Sequence, residues 1–307
     1  MEKRNTLPIL AGMGMATIFG MSFMFSKLAL DVSSPIELIS FRFLFAFLAM
    51  SILVAFKIVR VDFKGKNLKN LFLLSLSQPI TYFIFESYGI KMTSSSQAGI
   101  MVALIPIFVA GFGVLFLGEK TTKGELFFII LSVAGVGFTA YAKNSDPSSE
   151  VFGIVMLMGA VISASFFNII SRKISSEFSS SERTYSMMFL GALSFNLINI
   201  ISKAISGNID SYFNPITKPE FIIALLYLSL LSSIVAFFLV NYSLTHLEAS
   251  KAAVFSNLAT VVSIIAGVVF LKESFTQNQL LGSLMILSGV FGAQYLGIIK
   301  KRKLIKI

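Results

Sequence analysis

The sequence predicts an all-α integral membrane protein: ten transmembrane helices arranged as two inverted five-helix repeats. Three observations carry that prediction. First, 55% of the 307 residues are hydrophobic, only 13% are charged, and the mean hydropathy is +0.84. A soluble chain of this length carries about 25% charged residues and has no means of hiding so much apolar surface from water. Second, ten apolar segments, each long enough to cross about 30 Å of hydrocarbon, are separated by short polar loops. Third, residues 88–137 align without gaps on residues 242–291, with 13 identities in 50 positions, Tyr88/Tyr242, Ser96/Ser250, Gly113/Gly267, Glu119/Glu273 and Gly135/Gly289 among them. Such self-similarity marks a duplicated unit. Five spans per unit is an odd number, so the second unit sits upside down relative to the first. Two inverted halves can expose one site alternately to the two sides of a membrane.

The segments read in order as follows. Segment one, 7–30, lacks a small-residue cleavage site and is expected to be a retained span rather than a removed signal. It carries Lys27 near its second end. Segment two, 35–57, has Glu37 at its start, where an acid suits the helix dipole, and Arg42 about seven residues in, too deep to reach the interface easily. Segment three, 70–90, places Ser75, Gln78, Tyr82 and Glu86 at i, i+3, i+7 and i+11, one face of a helix. Lipid satisfies none of these groups, so the stripe is expected to face protein or a wet cavity. Segment four, 95–117, contains Pro106 in mid-span, which removes a backbone donor and kinks the helix, so that it shapes a cavity, acts as a hinge or simply packs. Segment five, 124–142, follows Glu119 and Thr122. Segment six, 151–171, offers Ser165, Asn168 and Arg172; segment seven, 184–206, offers Asn196 and Asn199. Segment eight, 219–245, ends beside His246, the single histidine, which has no second histidine with which to share a metal. Segment nine, 249–271, repeats a milder stripe: Ser256, Thr260, Ser263 and Gly267. Such small and hydroxyl residues serve helix packing as readily as a site. Segment ten, 277–299, follows Glu273 and Thr276, and both glutamate–threonine pairs read as helix capping and loop packing. It runs into the tail "KKRKLIKI".

Charge placement orients the chain. With the N-terminus cytoplasmic, 18 lysines and arginines fall on inside loops, tails and span ends, against 5 outside. That bias favours two cytoplasmic termini in a bacterial-type plasma (inner) membrane. Topology and anionic lipid therefore account for the basic tail, and no nucleic-acid partner is expected. There is no cysteine, which removes disulfides, thiolate metal sites and cysteine nucleophiles. No GxGxxG, GxxxxGK[ST], HExxH or GxSxG occurs, so neither an enzyme nor an ATP-driven pump is expected.

Several stretches carry a resemblance to a known family. They are "FGMSFMFSK" in segment one, "ELISFRFLFA" in segment two, "ALIPIF" in segment four and "LGEKTTKGELFFIILSVAGVGF", which recurs as "LKESFTQNQLLGSLMILSGVFG". The chain resembles ten-helix members of the drug/metabolite transporter superfamily built from two EamA units, here 7–141 and 151–297. It departs from the pattern at Phe19 and in "SASFFNIISRK", where tryptophan is common, and at Lys272, where the first unit has Gly118. The resemblance implies a secondary transporter of small metabolites working by alternating access around a central cavity, most readily an exporter of amino acids or related compounds. Nutrient uptake and a non-transporting membrane sensor or assembly role are the alternatives. Partners are then a small-molecule substrate and membrane lipid; a homodimer is compatible with the chain. No cofactor or metal is expected, and coupling to a proton or another cation is left open. The residues expected to meet substrate or coupling ion are Glu86, Arg42, Lys27, Tyr82, Gln78, Asn168 and Thr260, with Pro106 shaping the cavity. For Glu86 a static pair with Arg42 or Lys27 competes with a functional role.

Overall fold

The structure, a computed structural model, describes residues 3–117, 123–140, 147–247 and 249–305. Glu119 and Thr122 lie outside the described residues. The described chain forms ten helical rods and no strand. They are α1 (Lys3–Val32), α2 (Pro35–Ala55), α3 (Lys69–Ser75, Leu76–Thr81 and Tyr82–Met92), α4 (Ser95–Val102 and Ile105–Leu117), α5 (Lys123–Ala140), α6 (Pro147–Lys173), α7 (Ser180–Ile205), α8 (Pro219–Leu226, Tyr227–Ala236 and Phe237–His246), α9 (Ala249–Ala253 and Ser256–Phe270) and α10 (Gln277–Ile305). Six stretches are long and apolar enough by themselves to cross a membrane. Large apolar side chains such as Leu7, Ile52, Phe72, Phe127 and Phe270 point outward, as a lipid-facing surface requires.

Local chemistry sets the helix starts. Ser34 accepts a bond from the Glu37 amide, and Glu37 reaches back to the Ser34 amide at 2.8 Å, a capping box with Pro35 behind it. Ser179 and Glu182 repeat this device at α7, and Thr276 and Gln279 use it at α10. Glu37 also pairs with Lys203 at 2.7 Å, so it is both a cap and a tie to the end of α7. Ser34→Ala is expected to lower stability by about 1 kcal/mol, read as an earlier denaturation midpoint.

Contacts at the rod ends fix the up-and-down path. Lys27 in α1 donates to the carbonyls of Ile90 and Thr93 at the end of α3, and Lys91 donates to those of Leu30 and Ser33 at the end of α1. Lys218 donates to Val32. Ammonium groups on helix C-terminal carbonyls satisfy acceptors that lack partners within the helix and suit the dipole. These contacts share one face, here the far side; α1 begins at the opposite face, the start side. On the start side Arg183, fully buried, donates to the Ser171 carbonyl and hydroxyl at 2.8 and 2.6 Å, to the Asn241 carbonyl at 2.8 Å and to Thr245. Arg172 donates to the carbonyls of Leu244 and Thr245, and together the two arginines bind α6, α7 and α8.

Repeat-related helices pair with each other. The α2 rod packs along α7, α4 along α9, and α5 along α10. At the α5–α10 contact the duplicated glycines Gly135 and Gly289 each lie where a Cβ would collide with the opposite backbone: at 2.7 Å from the Gly282 carbonyl and 2.5 Å from the Phe128 carbonyl. Small residues let two rods approach this closely without a polar driving force. The repeat-related rods α3 and α8 are both interrupted. In α8 the interruption is a run of π-helical turns, Tyr227–Ala236; in α3 it is a kink at Gln78, whose φ of −150° and ψ of 119° are not helical, just before Pro79, and at the repeat offset of 154 the kinked stretch Leu76–Thr81 falls within the α8 turns.

Candidate functional site: a central cavity between the repeats

The interruptions in α3 and α8 lie beside a cavity at the centre of the bundle. It is walled by α1, α2, α3, α4, α6, α8 and α9. About 670 Å³ there is not filled by atoms, part of it open to solvent. Its apolar wall is aromatic: Phe19, Phe23, Phe83, Phe167, Phe237 and Phe255. Phe83 and Phe237 are equivalent residues of the two repeats, and their ring centroids are 6.1 Å apart. Phe237 also meets Phe19 at 5.5 Å and Phe167 at 6.1 Å, all edge-on. Phe19, and Phe167 from the stretch "SASFFNIISRK", thus both help build the cavity wall.

Polar groups enter from few places. The α3 stripe is buried throughout: Ser75, Gln78, Tyr82 and Glu86 are all less than 8% exposed, and the last three line the cavity. Glu86 accepts a bond from the Tyr82 hydroxyl on Oε1 at 3.1 Å, while Oε2 is buried without a hydrogen-bond partner. Arg42 is 2% exposed. Its Nε and Nη2 donate to the hydroxyls of Ser233 and Ser232 at 2.9 and 2.8 Å, and its guanidinium lies 4.2 Å from the Phe83 ring centroid. The widened turns of α8 bring both serine hydroxyls to this one side chain. Arg42 is thus pinned by hydroxyls and a ring rather than by Glu86, and both charges line the same cleft. Asn168 lines it from α6, with Nδ2 donating back to Ala164, and Ser22 from α1.

Other expected residues stand elsewhere. Lys27 holds the α3 carbonyls on the far side, outside the cavity wall. Thr260, fully buried, donates to the Gly99 carbonyl at 2.7 Å, and Ser263 donates to the Ser95 carbonyl at 2.8 Å. The α9 stripe beyond Ser256 is therefore spent on the α4 crossing, because carbonyls of α4 lie within reach of its hydroxyls. Pro106 sits at the second residue of the second half of α4, just after the break at residues 103–104. Having no N–H, it makes no bond back across the break, and Val102 and Ile105 on either side both face the cavity. Glu273 corrects a sequence expectation. Gln279, not Glu273, caps α10 with Thr276; Glu273 reaches across to the start of α4, accepting from the amides of Ser95 and Ser96 at 2.8 and 3.0 Å and from the Ser96 hydroxyl at 2.6 Å. It is aimed there by Lys272, whose φ of 55° is the left-handed conformation that glycine adopts at no steric cost. His246 is exposed and contacts its own helix at the Tyr242 carbonyl. Among the described residues no three metal-ligating side chains cluster.

Sequence reasoning passed over Ser232, Ser233 and Arg183. Extending the repeat offset beyond the aligned window places Ser232 on Gln78 and Phe237 on Phe83, which would have drawn attention to α8. Nothing in the local pattern marks Arg183, which sits in the first turn of α7 like an ordinary interface cation.

A membrane bundle of paired repeats, with interrupted helices beside a central cleft that holds a few buried polar groups, is the build of a transport protein. The comparisons specify it further. The EamA-like transporter family model matches residues 6–141 and 151–294, and the chain belongs to that family. It is 35% identical over 293 residues to YcxC, an uncharacterized transporter of Bacillus subtilis strain 168, covering 95% of this chain and 94% of that protein. A probable amino-acid metabolite efflux pump of Salmonella typhimurium strain LT2 is 24% identical over 277 residues, covering 89% of this chain and 90% of that one. A solved crystal structure superposes with a TM-score of 0.58 at 17% identity, covering 92% of this chain and 98% of that chain, and so shares the fold.

Proposed function

We propose that the chain exports amino acids or closely related zwitterions by secondary transport, alternating access to the central cavity between its two repeats. The observation that carries this reading is the pair of opposite charges in one aromatic cleft. Glu86 leaves a buried carboxylate oxygen without a partner, and Arg42 is anchored there through Nε and Nη2. A buried acceptor left unpaired costs about 1–3 kcal/mol, and more when it is charged. A guest ammonium on Glu86 offsets that cost, a guest carboxylate suits the guanidinium, and an apolar side chain lies among the phenylalanines. The name of the Salmonella relative supports the direction of transport and the substrate class. In the plasma membrane the start side is then cytoplasmic. Reporter fusions after Lys143 should read outside and those after Lys300 inside; the reverse pattern would overturn this orientation.

Thermal melting of the purified protein with matched ligands tests the substrate class. Phenylalanine and leucine should raise the midpoint through mass action, and their decarboxylated amines and deaminated acids should do so less. No stabilisation by any zwitterion, beside stabilisation by amines alone, would contradict the reading.

A further inference from the structure

The α4–α9 crossing differs at its two ends. Toward the far side it is sealed. Gly99 and Gly267 lie so close to the opposite helix that a Cβ would stand 2.3 Å from Ser263 and from Ser96. Ser263 and Thr260 clip to α4 carbonyls at 2.8 and 2.7 Å. Glu273 then closes the end with three bonds from Ser95 and Ser96. Toward the start side the same two rods still touch, without these clips, and flank the cavity. There Ala252, Ala253 and Phe255 of α9, with Val102 and Ile105 of α4, line the cavity. The sequence repeat shows the same bias. Ser96 and Glu273 recur as Ser250 and Glu119, but Ser263 and Thr260 are matched by Val109 and Pro106, which have no hydroxyl to clip with.

We propose that Glu273 is the catch of a far-side gate between α4 and α9. Seated on the amides of Ser95 and Ser96, it holds the far face shut while the cavity is reached from the start side, and its release lets the two helices part. This rests on the transport reading for its purpose but not for its test. A carboxylate suits this task because it accepts two helix-end amides and a hydroxyl at once, at the positive end of the α4 dipole. Being one side chain on a loop, it can leave without unfolding either helix. Its grip is added to an already close crossing, so removing it shifts the balance between closed and open states rather than dissolving the fold.

The chain has no cysteine, so a single introduced thiol reports cleanly. Ser22→Cys places one on the cavity wall, roughly 15 Å from the far end of α1 at 1.5 Å per residue. Sealed vesicles are treated with a membrane-impermeant maleimide from either face, the far face being identified by labelling of a cysteine at exposed Lys272 in a separate protein. With Glu273 intact, labelling at position 22 should be slow from the far face and faster from the start face. Adding Glu273→Ala should raise the far-face rate by about tenfold or more, as loss of one stabilising contact shifts a two-state population. Start-face labelling should change less than about twofold, which also reports a preserved fold. Ser96→Ala, which removes one bond of the three, should give a smaller rise in the same direction. Should Glu273→Ala fail to fold, Glu273→Gln, equal in shape but uncharged, decides by the same readout. Far-face labelling unchanged by whichever variant folds, or as fast as start-face labelling with Glu273 intact, overturns the gate. No substrate is used, so an error in the proposed substrate class leaves this result unaffected.

Discussion

Replacing Glu86 with glutamine is expected to lower transport by about tenfold or more while leaving the folded protein intact, because a charge-assisted bond is worth about 1.5–3 kcal/mol and 1.4 kcal/mol is a factor of ten. The separation of the two effects follows from the geometry. The bond from the Tyr82 hydroxyl falls on Oε1, which glutamine retains. The oxygen that glutamine replaces, Oε2, has no hydrogen-bond partner to lose. Arg42 does not depend on Glu86 for its place, since Ser232, Ser233 and Phe83 hold it. The folded state therefore loses little, and relieving an ion inside a span is, if anything, favourable. What disappears is the anionic acceptor for a guest ammonium or a proton. The measurement is liposome flux against pH, normalised to folded protein. The Gln variant should show weaker affinity and a flatter pH profile. Matching affinities and pH profiles would leave Glu86 a structural residue.

The opposite signature is expected at Arg183. Arg183→Met should destabilise the protein by about 3 kcal/mol or more, lowering the melting midpoint by roughly 5–10 °C, while flux per folded molecule stays near that of the parent. This guanidinium is fully buried and satisfies the carbonyls of Ser171 and Asn241 and the hydroxyls of Ser171 and Thr245. Methionine fills much of the space but donates nothing, so several acceptors are stranded together. Ser171 and Asn241 also bond each other, and Asn241 bonds Thr184, so the damage spreads through one network. Arg183 lies outside the cavity wall, which is why the loss should appear in stability rather than in turnover. Both arginines are nearly inaccessible. Arg42 opens onto the cleft, and Arg183 is closed in on every side by acceptors.

Much of this was legible in the sequence. Hydropathy placed all ten rods, since a span must be long and apolar whatever it packs against. The burial of the α3 stripe was legible because lipid accepts none of Ser75, Gln78, Tyr82 and Glu86, but the single helix face expected of them was not found: the rod is kinked at Gln78, and its two parts bury the residues separately, the last three at the cavity. The α9 stripe looked alike, yet its hydroxyls turn to α4 carbonyls; periodicity gives a face but not the neighbour it meets. The partners of Arg42 were not legible, because they come from α8, 190 residues away, through a π-helical widening that no residue type announces. Glu273 was legible as a cap, but not as a cap on a helix of the other repeat. That depends on a tertiary crossing set by Gly99 and Gly267, whose purpose emerges only where two backbones meet.

The claim that the cleft between the repeats carries zwitterions is tested most directly by flux into liposomes holding the purified protein. Labelled phenylalanine and leucine, with the corresponding amines and acids as competitors, should move saturably and faster than in empty liposomes. Competition should require both charges of the zwitterion, and the Glu86→Gln protein should lag at equal folded amount. Flux no greater than in empty liposomes for every zwitterion tried, or flux of equal rate in parent and Glu86→Gln protein with identical competition, would contradict it.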